Sequence, residues 1–255
     1  MKIHRYITIF LFFILSDSSF AQSVPHLNLW SRISVSQTIS EKWGAEAEFQ
    51  HRRQNNIVAR SENLLQENLL SSVRTWVHYH HREDMSFAVS PFAYYWHNPI
   101  IVSDSDKLKP QVQELRFSMA IDLKHEIIEN LWLINRSAVE YRDFVNTNAD
   151  FIRVRSRLGV RYEFSNQWNL TVFDELFLNL KGAQTIHIFD HDRLAFLLNY
   201  KPTKDIRVEI GYIYISRLPR NTDEFLHEHN FLLHLYFTLP HPIDDNHHTK
   251  HQKHS

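Results

Sequence analysis

Arg153, Arg155, Arg157 and Arg161 stand two or four residues apart and carry the clearest chemical signal in this 255-residue chain. Guanidinium groups fork onto carboxylates and phosphates, so a row of them can build an ion-pair network or line a passage for anions. Ile152, Val154, Ser156, Leu158 and Val160 fill the positions between. A period of two puts the arginines on one face of a β-strand and the apolar groups on the other. Burying four unpaired guanidiniums in a dry core is prohibitively costly. A hydrated, enclosed lumen inside a wall that faces lipid meets both demands.

The same alternation elsewhere in the chain sets Arg32, Glu46, Glu48, Arg74, Glu114, Arg116, Arg136, Glu140, Glu175, Arg193, Arg207 and Glu209 on inward faces. With the four arginines they form the expected lumen charge network. Cross-strand arginine–carboxylate pairs would make a rigid, plugged barrel, whereas an open lumen would be a pore or anion-binding channel. Long side chains can fill much of a barrel of about 10 to 12 strands, which favours the pairs.

Other chemistry is weakly signalled. His78, His80, His229 and His234 could act as bases and Ser71, Ser72, Ser90 and Ser118 as nucleophiles, but no elbow motif or spacing links them. No catalytic residue is assigned, and an enzyme is the less favoured class. There is no cysteine, hence no thiolate metal site, disulfide framework or lipid-anchoring cysteine. His241, His247, His248, His251 and His254 enrich the C-terminal tail without a fixed ligand spacing. Neither a metal site nor a cofactor is expected. A net charge of −1 gives no global field for nucleic acid.

The elements that must position these charges are long alternating segments with almost no helical period. Leu27 to Ile39, Trp43 to Arg53, Val73 to Arg82, Met85 to Trp96, Glu114 to Lys124, Leu131 to Arg142, Phe151 to Phe164, Trp168 to Leu180, Asp192 to Tyr200, Ile206 to Tyr214 and Glu228 to Leu239 each read as a strand. Most run about 10 to 14 residues, enough for a tilted strand to cross hydrocarbon, where soluble strands are nearer ~5 to 6. Short connections such as Ser40 to Lys42 and Ser165 to Gln167 alternate with longer ones such as Gln54 to Gln66 and His97 to Pro110. That is the signature of a transmembrane, antiparallel, up-and-down β-barrel. Trp43, Trp132 and Trp168 each follow a tight turn, as an interfacial aromatic girdle requires. Eleven segments are visible, but single-chain bacterial barrels usually have an even count. The expectation is therefore about 12 strands, with Leu180 to Asp190 the segment to split, and 10 next.

Residues 1–21 read as a cleaved secretory signal: Lys2, His4 and Arg5, then apolar Ile7 to Leu15, then Ser19-Phe20-Ala21. Residues 22–240 are the expected outer-membrane barrel and 241–255 a polar, histidine-rich tail. The partners are outer-membrane lipid and the barrel-assembly machinery during insertion. The function expected is a non-enzymatic structural, transport or binding barrel in a bacterial outer membrane. A lipid-modifying outer-membrane hydrolase and a soluble periplasmic β-barrel binder are the alternatives.

The layout resembles the domain of unknown function 2490 family, whose members are expected outer-membrane-type barrels. The resemblance rests on Trp30-x-Arg32, Arg153-x-Arg155-x-Arg157 followed by Arg161-x-Glu163, Phe173-Asp174-Glu175-x-Phe177, Asp192-Arg193 and Glu209-x-Gly211-Tyr212. It implies the barrel and no activity, so it supplies no catalytic residues.

Overall fold

The computed structural model describes residues 25–145, 150–182, 188–219 and 223–240. The expected signal segment, up to Ala21, and the tail from His241 onward lie outside them. Eleven strands form one closed barrel: β1 (His26–Thr38), β2 (Trp43–Gln54), β3 (Glu67–Arg82), β4 (Met85–His97), β5 (Val112–Ile128), β6 (Leu131–Phe144), β7 (Phe151–Glu163), β8 (Trp168–Gly182), β9 (Phe189–Tyr200), β10 (Ile206–Arg217) and β11 (Leu226–Leu239). One 3₁₀ turn, Asp104–Leu108, sits in the β4–β5 loop.

Consecutive strands pair antiparallel, and the ring closes between β1 and β11, which run parallel. The expected twelfth strand is absent from the described wall, because each of the eleven alternating segments forms a single strand. In an up-and-down ring an odd count leaves the first and last strands pointing the same way, so a parallel seam is the only closure. Parallel pairing is slightly weaker per residue, and here side chains stitch it. The Asn28 amide donates to Asn230 at 2.9 Å and to Glu228 at 3.3 Å, and Ser34 Oγ meets His234 Nε2 at 2.9 Å.

Local sequence explains the irregularities. Pro91 has no N–H for the ladder, and register breaks between Ser90 and Ala93 of β4 against β5 and, in the β3–β4 pairing, between Arg74 and Val77 of β3. Asn130, at φ 66°, closes the tight β5–β6 turn, and asparagine tolerates that left-handed geometry. Trp43 and Trp168 face outward, Trp43 tilted against Tyr79 and Trp168 stacked on Tyr200, with centroids 4.8 and 4.3 Å apart. Trp132 instead joins the inward row of β6, with the Lys124 ammonium 5.2 Å over its ring. The girdle therefore takes two of the three tryptophans expected in it.

The inside and outside of the wall differ sharply. Ile33, Phe49, Val73, Phe117, Met119, Leu158, Leu176, Ile210 and Leu233 are exposed on the outer face. Glu114, Glu140 and Glu175 are among the most deeply buried side chains.

Candidate functional site

The long loops gather at one end of the barrel and the tight turns at the other, which divides the lumen into two halves. In the loop-side half, Glu114 of β5 is 0% exposed. It accepts from Arg116 Nε at 2.7 Å, from Arg142 Nε and Nη2 at 2.8 Å each, and meets His97 Nε2 at 2.8 Å. Glu140, also 0% exposed, accepts from Arg153 at 2.9 and 2.5 Å, with Arg116 and Arg155 at 3.6 Å. Glu175 lies 3.2 Å from Arg157 and 3.8 Å from both Arg155 and Arg193. Alternation along β5 to β9 aims these groups inward, and antiparallel register puts Arg153 beside Glu140 and Glu175 beside both Arg157 and Arg193. A bulge where Phe177 and Leu178 pair with His191 and Phe189 lets Asp190 reach Arg153 at 3.2 Å.

The turn-side half is looser. Arg136 donates twice to Asp122, at 2.8 and 2.6 Å, but the two side chains are 19% and 32% exposed. Glu46 faces His78 at 3.6 Å, and Arg32 faces Glu48 at 3.6 Å. Among the described residues, Arg161 has no carboxylate at ion-pair distance, and Arg207 lies 3.5 Å over the Tyr236 ring with Glu209 nearby.

Two cavities follow this division, about 310 Å³ on the loop side and about 560 Å³ on the turn side. Arg32, Glu48, Arg74, Arg155 and Arg193 line both, so their side chains form the waist of the lumen. Nine arginines face the loop-side cavity: Arg32, Arg52, Arg74, Arg116, Arg142, Arg153, Arg155, Arg193 and Arg217. Glu48, Asp190 and Glu228 line it with them, and Glu114, Glu140 and Glu175 bind the same guanidiniums from behind.

Chain from the β4–β5 loop roofs this half. Ile100 packs on Leu69, Leu70, Ala93 and Tyr95, and the fully buried Gln54 amide donates to Pro99 O at 2.7 Å and Asn68 O at 3.2 Å. In the 3₁₀ turn of the loop, Asp106 accepts from Lys109 Nζ at 2.6 Å, Ser103 N at 2.7 Å, Ser103 Oγ at 2.8 Å and Val102 N at 3.1 Å. Burial works to raise the pKa of this carboxyl, but those donors outweigh it and hold the value at about 2.

All sixteen network residues expected from the alternation sit on inward faces of their strands, and Arg161 and Arg207 stand apart from the carboxylate clusters. Arg52, Arg217, Asp190, His97 and Tyr95 belong to the same constellation. Arg217 and Asp190 lie at strand ends beside loops, where alternation fades, and the bulge that turns Asp190 inward has no sequence mark. Arg52 was legible from its period on β2.

One serine–histidine–carboxylate line does form. Ser34 Oγ is 2.9 Å from His234 Nε2, and His234 Nδ1 is 3.7 Å from Glu209. Ser34 is 1% exposed, so no substrate carbonyl can reach its oxygen, and the Glu209 distance exceeds a hydrogen bond. It locks the β1–β11 seam. Of the serines and histidines considered for hydrolysis, Ser72, Ser90 and Ser118 are 1%, 0% and 2% exposed. Ser71 meets His51 at 2.9 Å, and His229 meets the Tyr212 hydroxyl at 2.6 Å. No described group of three or more histidine, aspartate and glutamate side chains could hold a metal ion.

Residues 27–225 match the family described as "Protein of unknown function (DUF2490)". The chain belongs to that family. Residues on which the sequence resemblance rests converge in the lumen of this DUF2490 member: Arg193 lies 5.5 Å over Trp30 and 4.2 Å over Phe177, and Arg157 lies 4.0 Å over Phe173. No curated protein matches the chain. Among solved structures, "NanC porin structure in rhombohedral crystal form" aligns at a TM-score of 0.49 and 15% identity, covering 84% of this chain and 98% of that chain.

Proposed function

We propose that this protein is a non-enzymatic barrel of a bacterial outer membrane whose lumen is narrowed by an arginine–carboxylate waist and works as a binding or structural barrel, not as a wide pore. The observation that carries the reading is the inversion of the wall. Ionic side chains fill the inside of a closed barrel, while aliphatic and aromatic ones cover the outside. Soluble proteins rarely leave contiguous apolar patches beyond a few hundred Å² uncovered, and a closed ring has no strand edge to satisfy within lipid. Outer-membrane lipid would then surround the wall, and the barrel-assembly machinery would insert it after export on a cleaved signal.

The test has two parts. The refolded chain should show heat-modifiable migration on gels and partition into lipid vesicles, and Leu176→Arg on the outer face should cost about 2 to 4 kcal/mol if it lies near mid-membrane. Free solubility without detergent would sink the membrane reading. In planar bilayers the waist should keep conductance low, and Arg155→Ala together with Arg74→Ala should raise it. A large, steady conductance in the unaltered protein would sink the narrow waist while leaving the barrel.

A further inference from the structure

We infer that the loop-side cavity binds a small organic anion, whose carboxylate or phosphate is held by Arg52, Arg74 and Arg193. The setting rests on the barrel reading above, but the cavity and its charges are the same in lipid or in water.

Charge balance comes first. Among the described residues, nine guanidiniums line this cavity against six carboxylates that line it or pair with them. Enclosed charge without a counter-charge is unfavourable, and a bound anion removes the imbalance. The surplus is localised. Among the described residues, Arg52 and Arg74 have no carboxylate at ion-pair distance, and Arg193 has only Glu175, at 3.8 Å and shared with two other arginines.

Orientation comes second. Arg52 lies 3.5 Å over the Trp30 ring, and Arg193 lies 4.2 Å over Phe177. Stacking occupies the flat face of a guanidinium and leaves its N–H edge free for a bidentate oxyanion. Arg74 spends one donor on the Tyr95 hydroxyl, and at 8% exposure its Nε has no partner. The Nε atoms of Arg52 and Arg193 are likewise buried without partners. Arg52 also spends one donor on Gln50 Oε1, at 2.9 Å, so each of the three guanidiniums is held and still keeps one buried, unpartnered Nε. Three such groups around one space make a site.

Size and enclosure come third. A volume of about 310 Å³ falls at the small end of the roughly 300–1,000 Å³ typical of ligand pockets. Leu69, Leu70, Ile100 and Leu218 give it an apolar margin on the loop side, and the Nε atoms of the three arginines are out of contact with solvent, so contacts to them act where water competes little. The turn-side cavity is larger; there Arg207 is stacked on Tyr236 with its Nε unpartnered, but Arg161 has no aromatic support.

The test uses the full chain folded in detergent, with calorimetry at low salt against glucuronate, glucose 6-phosphate and neutral glucose. The two anions should bind and raise the unfolding temperature, and glucose should do neither. Whichever anion binds tighter names the oxyanion. Arg52→Gln with Arg193→Gln should weaken binding by roughly tenfold or more, while Arg161→Gln stays within about twofold. Heat-modifiable migration certifies each variant as folded, and Arg52→Gln alone, which breaks no ion pair, serves if the double variant does not fold. A vesicle-inserted, heat-modifiable wild type that binds neither anion, or a folded double variant that binds equally well, overturns the site and leaves the barrel reading intact. A water-soluble protein that binds both supports the site and sinks the membrane reading.

Discussion

The two halves of the lumen use the same residue types to different ends. On the loop side Glu114 and Glu140 are fully buried, and each is reached by two or more arginines. On the turn side the Arg136–Asp122 pair has equally short contacts, yet both partners remain partly exposed. Distance alone therefore does not rank these interactions. Enclosure does, because water screens the open pair and leaves the roofed ones to depend on each other.

Removing one carboxylate from each half should separate them most widely. Glu140→Ala leaves Arg153, Arg116 and Arg155 only their second carboxylates, Asp190, Glu114 and Glu175, and losing one member of a buried ion cluster costs about 3 to 5 kcal/mol. Asp122→Ala on the turn side should cost about 0 to 1 kcal/mol, as for exposed pairs. Urea unfolding of the refolded protein in vesicles reads both. Losses of similar size would break the comparison, since enclosure would then add nothing.

Packing between strands offers a smaller contrast. Gly159 faces the lumen on β7, where a Cβ would lie 2.3 Å from Val172 O and 2.4 Å from Phe173 Cβ. The neighbouring strand must shift to accept Gly159→Ala, at a cost of about 1 to 3 kcal/mol. Gly44, at the turn end of β2, has its nearest atom at 3.5 Å, an ordinary contact. Gly44→Ala should stay within about 0.5 kcal/mol. Thermal unfolding compares them, and equal tolerance would mean that β7 and β8 can separate freely.

Sequence made the wall legible because a period of two sorts residues whatever the ring size. The arginines of β7, the Glu46–Glu48 pair of β2 and the Glu114–Arg116 pair of β5 all declare their face this way. Strand number was less legible, since the even-count habit of bacterial barrels concerns closure, and the parallel β1–β11 seam depends on residues 200 positions apart such as Ser34 and His234. Trp132 was misplaced for a related reason: a tryptophan after a tight turn suits either face, and only its parity along β6 decides. The loop-side site was half visible. Arg52 and Arg193 could be set inward, but their stacking on Trp30 and Phe177 needs three dimensions. The roof, built from Ile100, Ile101 and the Gln54 amide, follows no period at all.

That roof supplies the smallest effect and the sharpest control on enclosure. Asp106 anchors its loop through Lys109, Ser103 and Val102, and its carboxyl titrates at about 2 instead of its ordinary 3.8. A lowered carboxyl pKa stabilises the folded loop fully above the unfolded value and loses that contribution as pH falls through the folded one. Asp106→Asn should therefore speed hydrogen exchange across residues 99–111 at pH 6, after correction for intrinsic rates. The gap between variant and wild type should narrow from about pH 4 and close near pH 2. The Arg136–Asp122 region on the turn side should exchange alike in both proteins throughout. A gap that persists undiminished at pH 2 would show that the shape of the side chain, and not its charge, holds the roof over the loop-side lumen.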